Sequence, residues 1–283
     1  MIRLFPISLL VALTLMAGCS ASTGKPSQSG AQFRHRASVT DEVVASDIEE
    51  EVRFGREVAA RIIGRYGLYE NDKIMKYVNL VGAVVSQNTN RPELNFHFAV
   101  LNTEEINAYA APGGFVLVTR GALLKMRDEA ELAGVLAHEI GHIVEKHVVK
   151  ELNIKGSDES SAAGLATLIG GSSQSARTAF AQSVDKALDV LFKDGYSRAD
   201  ETQADRDAVL FSAFAGYDPA GLIHLFERLN TAKGKNTEVL DKTHPSYETR
   251  ISWMKGTLSR EGLDTGSYKA GVNRFSSTIK NLK

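Results

Sequence analysis

Between Asp128 and Val144 the apolar positions Leu132, Val135, Leu136, Ile140, Ile143 and Val144 leave little of a helix's circumference polar, which predicts a buried helix opened by Asp128 or Glu129. Upstream, Thr40-Asp41 can cap a long amphipathic helix reaching about Tyr66, and Asn71-Asp72 a second running through Val81 and Val85. Leu94 to Val100 alternates as a half-buried strand, in which His97 reads as structural, and Phe115 to Thr119 is a β-branched and aromatic strand. The segment between them, Asn107 to Gly114, is rich in breakers and predicts a turn, so a hairpin is the simplest pairing. A helical period returns from Ala179 to Phe192, from Arg198 to Ala215, from Pro219 to about Asn230 and from Pro245 to about Leu258. The expected fold is α+β and mainly helical, with a small antiparallel sheet.

The ends read differently. Arg3, the apolar run Ile7 to Met16 and the small pair Ala17-Gly18 form a secretory signal over residues 1–18, too short to span a membrane stably. Cys19 is the only cysteine of the 283 residues, so it cannot form an internal disulfide. Leu15-Met16-Ala17-Gly18-Cys19 resembles the bacterial lipobox, with Met a tolerated departure, and implies lipidation of Cys19. Acyl chains contributing about 0.8 kcal/mol per buried CH₂ hold such a protein on a membrane. Ser20 after the cysteine resembles the pattern of lipoproteins sent to the outer membrane, which places the folded part in the periplasm of a bacterial cell envelope. Residues 19–39, poor in large apolar side chains, read as a flexible tether to a domain over 40–260, followed by a solvated basic tail over 261–283. The Ser, Ala and Gly of 156–176 read either as a mobile loop or weak helix beside the site or as a surface linker, with an apolar stretch too short for a membrane span. A net charge of −1 gives no reason to expect nucleic acid as a partner.

The buried helix carries His138-Glu139-Ile140-Gly141-His142. A four-residue helical step puts both imidazoles on one face, about 6 Å apart at Cβ, where one zinc can take a nitrogen from each. Glu139 then sits beside the metal, placed to accept a proton from the attacking water. An ionised glutamate in such a helix also needs a nearby cation, and zinc supplies one. A catalytic site has three protein ligands. His147 lies about 180° around a continuous helix from His138 and is rejected. The better source is Arg198 to Asp205, where Glu201 and Asp205 share a helical face beside Ala204 and Ala208, small enough for close approach to the motif helix. A carboxylate there reaches the metal, and Asp205 can accept a hydrogen bond from the far nitrogen of a ligand histidine.

These segments, with Asn107-Ala108-Tyr109-Ala110 to Gly114 and His244-Pro245 followed by Arg250, are together similar to the family of zinc peptidases that includes HtpX, BepA and the CAAX prenyl proteases. The resemblance covers roughly Asp41 to Leu258. It implies a zincin fold of the gluzincin type with one Zn²⁺ per chain, held by His138, His142 and Glu201, with Glu139 as base. Asn107 would position substrate and Arg250 support the site. His244 either donates to the oxyanion or swings onto the zinc and silences it. The chain lacks the transmembrane helices of HtpX and the prenyl proteases and has no room for the helical repeat domain of BepA. It looks most like compact periplasmic lipoprotein members, so prenylated substrates are not implied. The expected activity is zinc-dependent endopeptidase cleavage of misfolded or unassembled envelope proteins, laid extended along Phe115 to Thr119 as an edge strand. The rival reading is a membrane-tethered binding or chaperone-like module, its zinc structural or inhibited and closed by His244 as fourth ligand.

Overall fold

The structure, a computed structural model, describes residues 45–152, 173–231, 244–280 and 282. Cys19, the signal, the tether, the first helix cap and residues 156–172 of the Ser/Ala/Gly-rich segment lie outside the described residues. Helix α1 (Ala45–Tyr66) buries Phe54, Val58 and Ile62, one side chain per turn. Asn71 caps α2 (Asp72–Ser86) by accepting from the Ile74 amide at 3.1 Å, and the helix buries Ile74, Val78, Val81 and Val85.

The sheet departs from expectation. Its strands β1 (His97–Leu101), β2 (Ala108–Ala111) and β3 (Phe115–Thr119) are ordered β1-β3-β2. The antiparallel hairpin expected between the first and last of these is instead a parallel pair, with His97 opposite Phe115 and Leu101 opposite Thr119. The antiparallel partner of β3 is β2, read from sequence as turn. Only Pro112-Gly113-Gly114 turns, with both glycines at positive φ, +72° and +102°, and with the Gly113 amide donating to Glu51 on α1 at 3.1 Å. Ala108-Tyr109-Ala110-Ala111 has no β-branched residue to announce a strand, yet it is wholly buried and paired along its length. The sheet is therefore mixed. β3 is its central strand rather than an edge, and β2 is the edge that packs on the motif helix.

Thr119 caps the short α3 (Arg120–Lys125), and Asp128 caps the motif helix α4 (Glu129–Val144) by accepting from the Glu131 amide at 2.9 Å. Every residue of α4 except Val135 is buried. Chain reversal after α4 gives the short α5 (His147–Glu151), and α6 (Gln174–Asp189) runs into a π-turn at Val190–Asp194. Helices α7 (Arg198–Phe214) and α8 (Gly221–Thr231) then pack on α4, and α9 (Tyr247–Glu261) packs on both of them. The close approach foreseen at Ala204 and Ala208 is present. A Cβ on Gly141 would stand 3.1 Å from Asp207 Cβ and 3.3 Å from Ala204 Cα.

The solvated tail is corrected too. Residues 272–279 form α10 (Val272–Ile279), whose Phe275 and Ile279 are buried, as is Leu282. Arg274 on it binds the buried Glu129, which also accepts from Tyr77 Oη at 2.8 Å, and Ala270 O accepts from the Ala130 amide at 2.9 Å. The tail thus seals the start of the motif helix. Its apolar spacing was hidden among basic residues.

Asp207 is fully buried against α4, and among the described residues its side chain accepts from the Gln203 amide alone, at 3.3 and 3.5 Å. Burial, aided by Glu145, pushes its carboxyl up from 3.8 to about 8. A raised folded-state pKa contributes stability that is whole below about pH 4 and is lost as pH rises towards about 8. Asp207→Asn, neutral throughout, is expected to gain a few kcal/mol on the wild type between about pH 5 and about pH 8. Urea unfolding at the two pH values checks this, and parallel pH slopes would refute it.

Candidate metal centre

His138 and His142, one turn apart on the buried α4, face each other with Nε2 atoms 3.0 Å apart. Glu201, in the first turn of α7, brings Oε2 to 3.8 Å from His138 Nε2 and Oε1 to 3.6 Å from His142 Nε2. All three side chains are buried, and their ligand atoms lie within 4.8 Å of one another. A tetrahedral ion with ligands at about 2.0–2.1 Å has edges of about 3.3 Å; the histidine pair lies inside that length and each Glu201 oxygen lies just beyond it from one histidine. Among the described residues the buried Glu201 Oε2 has no hydrogen-bond partner. A cation among these atoms would satisfy that oxygen and both nitrogens at once, so the residues present fit a metal.

Electrostatics prepare the ligands. Burial pushes the Glu201 carboxyl up, but His244 and Arg250 outweigh it and hold the group well below the usual carboxylate range. Burial, reinforced by His138, drives His142 well below the ordinary histidine value, leaving it in the neutral form that ligates. Glu139, beside them, is raised by burial against the opposing pull of His138 and His244.

The other residues singled out in the sequence converge here. Asp205 Oδ1 is 3.2 Å from His138 Nδ1. Arg250, itself buried, grips Asp205 with Nη2 at 2.6 Å and Nε at 3.1 and 3.2 Å, and rests over the Phe226 ring. His244 Nδ1 is 2.7 Å from Glu201 Oε1, so it engages that carboxylate and stands outside the three-residue group. Asn107 immediately precedes the edge strand β2, its Oδ1 accepting from the Ala108 amide at 2.9 Å. Asn107, Glu139, His244 and Arg250 line one pocket with Leu222 and Phe226. Cys19 lies outside the described residues.

Sequence reasoning misplaced His147 and missed Tyr196 and Asp200. A continuous helix would have turned His147 away, but α4 ends first and the ring comes back, with Nδ1 2.8 Å from His142 Nδ1. It remains outside the three-residue group. The Tyr196 ring stacks on His142 at 4.1 Å and 19°, and Asp200 Oδ1 is 3.2 Å from His147 Nε2.

Residues 73–258, about two thirds of the chain, match the pattern that defines peptidase family M48. The chain belongs to that family. With it, the protein falls among the metalloproteases. It is 27% identical over 255 residues to the Beta-barrel assembly-enhancing protease of Escherichia coli (strain K12), covering 82% of this chain and 52% of that protein. To Metalloprotease YcaL of the same organism it is 24% identical over 260 residues, covering 89% and 96%. To the Mitochondrial metalloendopeptidase OMA1 of Arabidopsis thaliana it is 27% identical over 187 residues, covering 64% and 36%. The chain thus spans about half the length of the assembly-enhancing protease. No helix among the described residues is long and apolar enough to cross a membrane.

Proposed function

We propose that this protein is a zinc-dependent endopeptidase with a gluzincin site, in which His138, His142 and Glu201 hold the metal. The observation that carries the reading is the convergence of these three buried groups, one oxygen unpartnered, beside Glu139 on the wall of a pocket that reaches the edge strand β2. Bound there, zinc would lower the pKa of a water towards about 7 and polarise the scissile carbonyl. Glu139 accepts the proton of the attacking water and returns it to the amine as the peptide C–N bond breaks. Its burial raises its proton affinity, which favours the first of these transfers. His244, anchored through Nδ1, keeps Nε2 as its remaining polar atom. Donation from that Nε2 to the developing oxyanion would be an interaction worth on the order of 3 kcal/mol.

The substrate lies extended along β2, pairing with its main chain, while Asn107 at the head of that strand fixes the register. Such pairing tolerates many side chains and suits unfolded polypeptide. Misfolded or unassembled envelope proteins are the substrate class we favour, on the name of the assembly-enhancing relative and on the signal and lipobox at Leu15 to Cys19, which would tether the enzyme through lipidated Cys19 to the periplasmic face of the outer membrane. The full chain is expected to carry one zinc and degrade casein, to stop when 1,10-phenanthroline removes the metal, and to recover on adding zinc. Zinc-loaded protein that binds casein but leaves it intact overturns the enzymatic reading.

A further inference from the structure

Behind His142 runs a polar chain for which the proposed reaction has no use. Helix α4 stops at Val144, and Lys146, at φ +56°, is the one non-glycine residue with positive φ among the described residues. A left-handed lysine is strained, and here the reversal aims the next side chain back at the site. That side chain is His147. It is buried, with Nδ1 2.8 Å from His142 Nδ1 and Nε2 3.2 Å from Asp200 Oδ1. Asp200 in turn accepts from Ser197 Oγ, the cap of α7, at 2.7 Å.

One arrangement of protons satisfies this chain. His142 Nε2 faces His138 and Glu201 and must present a lone pair to a metal, so in the neutral ring the hydrogen is on Nδ1. That hydrogen points at His147 Nδ1, which must therefore be an acceptor. The His147 hydrogen then sits on Nε2 and points at the Asp200 carboxylate. His138 is backed by Asp205 directly, whereas His142 is backed by Asp200 through a second imidazole. We infer that His147 and Asp200 are positioning residues that fix the tautomer and ring angle of His142 and so set the metal affinity of the site. The stacked Tyr196 covers the face of the same ring and opposes its rotation. The inference rests on the zinc reading given above.

The test is the zinc dissociation constant of the full chain, measured by competition with a chelator. His147→Leu removes both hydrogen-bonding atoms, while His147→Gln restores one acceptor and one donor on a similar stem. The Leu variant is expected to bind zinc about 10- to 100-fold more weakly, with the Gln variant recovering most of the loss. Asp200→Ala should weaken binding in the wild type and add little in the Leu variant, because both residues act through one serial chain. The inference is overturned if His147→Leu matches the wild type, or if Asp200→Ala costs the same in both backgrounds. Should circular dichroism show His147→Leu unfolded, Asp200→Ala decides alone, and unchanged zinc affinity there overturns the inference. A wild type that binds no zinc, or binds it undiminished as His138→Ala, overturns the zinc reading itself, a result distinct from a zinc-binding wild type matched by the His147 variants.

Discussion

Glu139→Gln is expected to lower casein cleavage by roughly 10²- to 10⁴-fold, the range that a positioned general base supplies. The amide has the shape of the carboxyl but cannot take a proton from water. Zinc content should be retained, because the ligand atoms belong to His138, His142 and Glu201. Thermal stability should hold or rise, since burial already disfavours charge at this position and the substitution removes it. This combination separates the base from the ligands, as His138→Ala should lose zinc and activity together. Cleavage by zinc-loaded Glu139→Gln at the wild-type rate would remove Glu139 from the mechanism.

The centre of the site was legible because its residues obey helical geometry. His138 and His142 are one turn apart on an uninterrupted helix, and Glu201 and Asp205 repeat the same step on α7. Periodicity therefore put these two pairs on shared helical faces of the candidate site without any tertiary contact. It failed where the backbone departs from the period. His147 was assigned to the wrong side because the helix breaks at Glu145-Lys146 without the glycine that marks many helix ends. Strand β2 was invisible because its four residues are alanines and a tyrosine, and its strand character comes from pairing with β3 and packing on α4. Calling β3 the edge followed from that omission, since a two-stranded hairpin has only edges. The docking of α10 was missed for a related reason. Arg274 looks like a solvated charge in one dimension and is the partner of a buried glutamate in three.

Arg250→Leu is expected to destabilise the protein by about 3–5 kcal/mol, the cost of removing one member of a buried ion pair. Asp205 is fully buried, and burial pushes its carboxyl up while Arg250 and His138 pull it down. Without the guanidinium, a charged Asp205 keeps only the contact to His138 Nδ1, and a protonated one can no longer serve that histidine as an anion. Either outcome loosens His138 as well as the helix pair α7 and α9. Asp205→Asn alone should also destabilise, since it leaves the arginine buried without its counter-charge. The double variant should then be less unstable than the sum of the single ones by about 1–3 kcal/mol, the coupling expected of residues in direct contact. Urea unfolding of the four proteins measures it. Arg250→Lys should recover little, because one ammonium cannot meet both Asp205 oxygens while lying flat over Phe226. Strict additivity, or a Lys variant as stable as the wild type, would mean that the pair fills space rather than holding the carboxylate behind His138 in its charged form.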